Sequence, residues 1–318
     1  MSYIIFSVTI FACLMIYFRI ARACNIIDKP NQRSSHIEPT IRGGGVIFFV
    51  AIFIWFLGNS FQWPWMMLGI SLVAIINFLD DINEQPAILR FLVHLVGVLM
   101  VFFQVGVFTW SFFLIMIALI VCIGALSAFN FMDGINGITG LYALVNLTSF
   151  YIVQQTIPFS NAQLLIFLIV SVFVFLYYNF RTRAVCFAGD VGSVTIAFIQ
   201  VFFLLQLIMA TNNFLWVIMF LVYGIDSVVT ILYRLKRREN IFKPHRTHLY
   251  QYLANEMKWP HQAVSFAYAF IQGVLNFVVI YGYLNYSYFM PLVAAVIFII
   301  VYLGLRNNIS QRILVKGK

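Results

Sequence analysis

Charge is what this chain of 318 residues has least of: Asp, Glu, Lys and Arg make up 9% of it, against 63% hydrophobic residues. Together with a mean hydropathy of +0.96, that scarcity excludes an ordinary soluble domain. Cysteine is scarce too. Cys13, Cys24, Cys122 and Cys186 show no C-x-x-C spacing, which argues against a disulfide framework or a zinc site and predicts buried free thiols. No short-period repeat, low-complexity tract or soluble domain interrupts the apolar pattern. No basic residue precedes the first apolar stretch, while Arg19 and Arg22 follow it. That order argues for an uncleaved first span despite the "ARA" at Ala21–Ala23.

What is present is a series of runs long enough to cross a hydrocarbon core of about 30 Å. They lie near 3–18, 44–60, 64–79, 88–105, 110–129, 135–153, 162–178, 193–210, 213–232, 262–282 and 288–305. The expected fold is an all-α polytopic membrane bundle of about 11 (10–11) transmembrane helices, one integral-membrane domain over residues 1–318. All 19 Lys and Arg and all ten acids fall on alternate connections or the adjoining helix ends: 19–43, 80–90, 130–134, 179–192, 233–261 and the tail from Arg306. The opposite connections carry no charge. By the positive-inside rule the charged face is cytoplasmic and the amino end lies outside. The net charge of +9 then belongs to that face, where it suits anionic lipid or phosphates, and nucleic acid is not needed to explain it.

Five of the ten acids lie at the mouths of apolar runs: Asp80, Asp81, Asp133, Asp190 and Asp226. An ionised side chain at a bilayer centre costs roughly 2.5–3.5 kcal/mol on insertion scales. Acids kept at such places predict a cation site at one membrane face.

The motifs sharpen this. In "DKPNQRSSHIEPTIRGGG", Gly43, Gly44 and Gly45 open the second helix; exposed N–H groups and the helix dipole there suit a phosphate, with Arg33, His36 and Arg42 converging on it. A charged flank with a flexible hinge is the alternative. For Asp80 and Asp81 the nearest basic residue along the chain is Arg90, which argues against a routine salt bridge. Their repulsion would be relieved by a divalent metal or a shared proton. In "NFMDGINGITG", Asn130, Asp133 and Asn136 recur every three residues, as one face of a helix end that suits nucleotide binding at a base edge or support of a metal shell, and Gly134 and Gly137 leave room for a ligand. An Asx-capped turn is the alternative. Asp190 in "CFAGDVGS" precedes a helix, either to cap it or to hold a cation. In "PHRTHLYQ", His245, Arg246 and His248 read as a diphosphate clamp, with a zinc site the weaker alternative. His94, alone in the fourth span, reads as a packing residue.

Taken in order, "KPNQRSSH…PTIRGGG", "FLDD", "NFMDGINGITG", "FAGDVGS" and "HRTHLYQ" resemble the polyprenyl-phosphate N-acetylhexosamine-1-phosphate transferases, over residues 28–253. The "HRxHLYQ" form is similar to the O-antigen-initiating branch, which uses FucNAc, QuiNAc or GlcNAc. The resemblance implies transfer of an N-acetylhexosamine-1-phosphate from a UDP-sugar to undecaprenyl phosphate, releasing UMP, at the bacterial inner membrane. It implies Mg²⁺ (with Mn²⁺ an alternative) on Asp190, catalytic roles for Asp80, Asp81, His245, Arg246 and His248, and nucleotide contacts from Asn130 and Asp133. Asn136 stands where some relatives carry a second acid, and a lysine that peptidoglycan members place after the Asp pair is replaced here by Asn83 and Glu84, leaving Arg90 as a substitute. A homodimer is a plausible assembly. The rival from another class is a polytopic transporter or lipid flippase, which would need carboxylates near the midplane and a path to both faces.

Overall fold

Each apolar run becomes a helix, because inside hydrocarbon a helix satisfies its backbone N–H and C=O groups locally. A computed structural model describes residues 2–30, 38–240 and 245–316; Arg33 and His36 lie outside the described residues. In chain order the helices are α1 (Tyr3–Ala23), α2 (Val46–Gly58), α3 (Pro64–Ile82), α4 (Ala87–Val105), α5 (Phe112–Met132) and α6 (Ile138–Thr156). There follow α7 (Ala162–Asn179), α8 (Gly189–Thr211), α9 (Leu221–Lys236), the single turn α10 (Leu249–Gln251), α11 (His261–Leu284) and α12 (Phe289–Lys316). Apart from α10, each answers to one expected segment.

Among the described residues nine helices are long and apolar enough to cross a membrane, one of them α9 together with the stretch from Phe214 that leads into it. Two expected spans miss that mark for visible reasons. Helix α2 has only 13 residues, and α6 carries Asn146, Thr148, Ser149, Gln154 and Gln155. The protein is an all-α, multi-pass membrane bundle, with one small addition that periodicity did not predict. An antiparallel ribbon pairs β1 (Ile27–Asp28) with β2 (Thr40–Ile41). Pro30 and Pro39 bar a helix there, and β-branched Ile27, Thr40 and Ile41 favour extended backbone.

Helix α8 is the axis. It is apolar on all sides and buried along almost its whole length, packed by α2, α3, α4, α5 and α6. Close approach at its start depends on glycine: a Cβ on Gly192 would lie 2.6 Å from Gly45 Cα of α2. Small residues allow the same intimacy between α3 and α4, where a Cβ on Gly69 would sit 3.0 Å from the Gly97 carbonyl oxygen. The ends of α3, α5, α7, α9 and α12 and the beginnings of α2, α4, α6, α8 and α11 gather at one end of the bundle. The described parts of the sequence motifs lie there. The four cysteines are unpaired, with Cys122 and Cys186 buried, Cys13 half-buried and Cys24 exposed.

Candidate active site

Asp80 and Asp81 close α3 from within its last turn, about 100° apart around the axis, and they part company. Asp81, its side chain fully buried, turns to the start of α8. Its oxygens accept the backbone N–H groups of Asp190 (2.9 Å) and Val191 (3.0 Å), and Arg42 Nε reaches Oδ1 at 2.7 Å. Those N–H groups have no partner within their own helix, and the carboxylate meets the positive end of its dipole. Asp81 thus caps a helix it does not belong to. Asp80 turns the other way, accepting the Gln85 N–H at 2.6 Å and pairing with Arg90 Nη1 at 2.6 Å. Asp190, expected just ahead of a helix, lies inside the first turn of α8 between two guanidiniums, with Arg42 at 3.2 Å and Arg90 at 3.3 Å.

Both aspartates of the pair are therefore in salt bridges, against the sequence expectation. The reason is spatial: Arg42 comes from a separate loop, and Arg90 is brought back by the α3–α4 hairpin.

The glycine triplet is also corrected. Gly44 donates its N–H to Phe187 O (2.8 Å) and Gly45 to Ala188 O (3.0 Å), so neither is free for a phosphate. Gly43 turns the chain at φ +76°. The triplet serves the close α2–α8 crossing, and among the described members of the expected phosphate group it is Arg42 that faces the acids.

Asn130, Asp133 and Asn136 do not share a helix face, because α5 ends at Met132. Asn136 spends its amide on Arg181 O (2.8 Å) and Thr182 O (3.2 Å), pinning the α7–α8 loop. Gly134 makes room for the Tyr250 phenol and Gly137 for the Phe180 ring, so protein fills the space expected for a ligand. Asn179 escaped the sequence reading. Its Oδ1 accepts the Gly137 N–H at 2.7 Å and its Nδ2 donates to Cys186 O at 2.9 Å, tying both loops together. An amide closing an otherwise apolar span was the available signal. Asp133 is half-buried; burial pushes its carboxyl up to about 7, with the negative charge of Asp190 adding to the rise.

His245 and His248 precede α10 in extended chain, their rings stacked at 5.0 Å between centroids, with half-buried Arg246 between them in sequence. Burial, with His248 beside it, pushes His245 down to about 4, so it is neutral at pH 7. His245, His248, Asn130 and Arg90 line a cavity of about 480 Å³ between α4 and α5. Phe91, Ile123, Leu126 and Val194 supply an apolar wall to the same cavity. His94 lines it as well and accepts a hydrogen bond at 2.9 Å from Asn77, a buried amide one turn before Asp80. The pair Asn77–His94 is a second rung below Asp80–Arg90. A second cavity, about 410 Å³, opens between the loops and is lined by Asn136, Thr182, Arg183, Phe187, Trp259 and His261.

Among the described residues no three His, Cys, Asp or Glu side chains form a metal-holding set. The donor chemistry still suits a hard divalent cation: Asp80 and Asp190 both reach Arg90 Nη1, at 2.6 and 3.3 Å, and are oxygen donors held in place by arginines.

Comparison with known proteins finds relatives of one kind. The sequence model described as "Glycosyl transferase family 4" matches residues 63–209. A probable undecaprenyl-phosphate N-acetylglucosaminyl 1-phosphate transferase of Bacillus subtilis is 25% identical over 277 residues, covering 79% of this chain and 76% of its own. Undecaprenyl-phosphate alpha-N-acetylglucosaminyl 1-phosphate transferases of Yersinia pestis and Escherichia coli K12 are 25% and 24% identical. They cover 75% and 90% of this chain, and 72% and 84% of their own.

Proposed function

We propose, for a chain that belongs to the polyprenyl-phosphate hexosamine-1-phosphate transferase family, that it transfers a sugar-1-phosphate from a UDP-N-acetylhexosamine to undecaprenyl phosphate. The observation that carries this reading is the meeting of Asp80, Asp190, Arg42 and Arg90 beside a cavity that is polar at one wall and apolar at the other. A lipid phosphate needs both: cations for its head and hydrocarbon for its tail. The soluble donor meets the same cluster from the loop side, with its nucleotide end beside Asn130 on the wall of that cavity.

In the reaction an oxygen of the lipid phosphate bonds to the phosphorus next to the sugar. The bond from that phosphorus to the bridging oxygen breaks, and UMP leaves with that oxygen. One phosphoanhydride replaces another, so catalysis consists of placement and charge neutralisation. Asp80, through Arg90, orders the acceptor phosphate. Asp81 works at one remove, holding α8 so that Asp190 stands at the axis. Asp190 and Asp80 would hold Mg²⁺, which supplies charge neutralisation on the diphosphate when bound. His245 and His248 contact the phosphates from the cavity wall, and Asn130 and Asp133 meet the nucleotide end. The whole chain acts as one domain in the inner membrane with this end in the cytoplasm, because all its charged connections are on that side. O-antigen or related cell-envelope polysaccharide is the pathway class this product would enter, with GlcNAc, FucNAc or QuiNAc as the sugar.

Purified protein incubated with Mg²⁺, undecaprenyl phosphate and a panel of UDP-sugars tests this. UMP and a diphospho-lipid sugar should form together, and both should vanish in Asp190→Asn. Wild-type turnover in that variant, or no product with any UDP-sugar, would refute the assignment.

A further inference from the structure

The place of His248 is set by residues outside its own motif. Asp226, fully buried in α9, is surrounded by donors from four elements. Its Oδ1 meets His248 Nδ1 at 3.1 Å, the Leu249 N–H at 3.2 Å and the Thr230 hydroxyl of α9 at 3.3 Å. Its Oδ2 accepts the Tyr268 hydroxyl of α11 at 2.6 Å. Arg306 of α12 lies 3.7 Å from Oδ1. Arg306 is itself buried: its Nη2 donates to Thr247 O at 2.9 Å, its Nη1 to Tyr302 Oη at 2.9 Å, and its guanidinium lies 5.1 Å over the Tyr233 ring.

An apolar cluster would stabilise this helix junction at least as well, since buried ion pairs often lose to hydrophobic replacements of equal volume. The contacts also point in one direction. Two of the groups on Asp226 Oδ1, and the carbonyl held by Arg306, belong to the segment 247–249. A carboxylate accepts, so His248 Nδ1 carries the proton and Nε2 is left as the ring's free acceptor. His248 lines the 480 Å³ cavity.

We propose that Asp226 and Arg306 are positioning residues for the transfer: they fix the tautomer and aim of His248 and hold the backbone of Thr247. This rests on the transferase reading above. Helices α9 and α12, which carry none of the sequence motifs, thereby become part of the active site's support.

The test is a double-mutant cycle on the purified full chain, with Asp226→Asn, His248→Ala and the double variant. Turnover is read with UDP-N-acetylglucosamine and undecaprenyl phosphate, alongside melting temperature. A nitrogen-15 spectrum reads the tautomers of the five histidines. Asp226→Asn should lower kcat by about 10- to 100-fold, the range for a partner that orients a functional histidine. It should shift the His248 proton from Nδ1 and add less than about threefold in the His248→Ala background. An equal loss in both backgrounds, or an unchanged tautomer, would overturn the proposal. If His248→Ala turns over like wild type, the histidine's part in the transfer fails and the positioning proposal with it. Should Asp226→Asn not fold, Tyr268→Phe, which removes one hydroxyl from Asp226, goes through the same cycle. A several-fold loss confined to the His248 background supports the proposal, and a background-independent loss sinks it.

Discussion

Replacing Asp81 by Asn should unfold the protein more readily while replacing Asp190 by Asn should not, although the two carboxylates belong to one cluster. Asp81 is fully buried and holds two α8 N–H groups and Arg42 Nε. An amide offers one acceptor oxygen and turns an NH₂ towards donors. Breaking a buried pair by removing one partner costs about 3–5 kcal/mol; relief of repulsion from Asp190 puts this case at the low end, about 3 kcal/mol. At about 2–4 °C per kcal/mol for a chain of this order of size, the apparent melting temperature should fall by about 6–12 °C. Asp190 sits between two arginines and contributes only Oδ contacts at 3.2 and 3.3 Å, so its neutral variant should melt within a degree or two of wild type and lose turnover. Size-exclusion profiles of detergent-solubilised protein after stepwise heating would measure both. If Asp81→Asn melts like wild type yet is as inactive as Asp190→Asn, Asp81 acts in the chemistry and the capping argument is wrong.

Asp133, raised to about 7, ionises only as pH climbs through neutrality, so kcat/KM should have an acid limb near pH 7 that disappears in Asp133→Asn. The native state keeps a proton that the unfolded chain releases between the usual carboxylate range and about 7. Stability therefore declines across that window as pH rises, and at pH 8 Asp133→Asn should melt above wild type. Gly192→Val should abolish folded expression, because its Cβ would enter the Gly45 backbone; a monodisperse, active variant would contradict the crossing. His94→Ala leaves the Asn77 amide without its 2.9 Å partner on the wall of the 480 Å³ cavity, where the proposal puts the lipid acceptor. It should raise KM for undecaprenyl phosphate about three- to tenfold (~1 kcal/mol) with KM for the UDP-sugar unchanged, and equal rises in both would argue for a general packing defect.

One-dimensional physics determined much of this protein. Burying polar groups in hydrocarbon is costly, so the positions of eleven helices, the gathering of charge at alternate connections and the adjoining helix ends, and the few acids worth attention were legible from residue order alone. The motif set also pointed to the family without any coordinates. What hydropathy cannot carry is which groups meet. Asp80 and Asp81 are adjacent in sequence, yet one faces Arg90 and the other caps a helix 109 residues away. The glycines at 43–45 resemble a phosphate cradle until the α8 backbone takes up the N–H groups of Gly44 and Gly45. Asp226, noticed only as an acid at the mouth of an apolar run, gains its meaning from donors on α11, α12 and the histidine segment. Those pairings arise from helices crossing in three dimensions, where chain distance no longer limits contact, and only the folded bundle decides them.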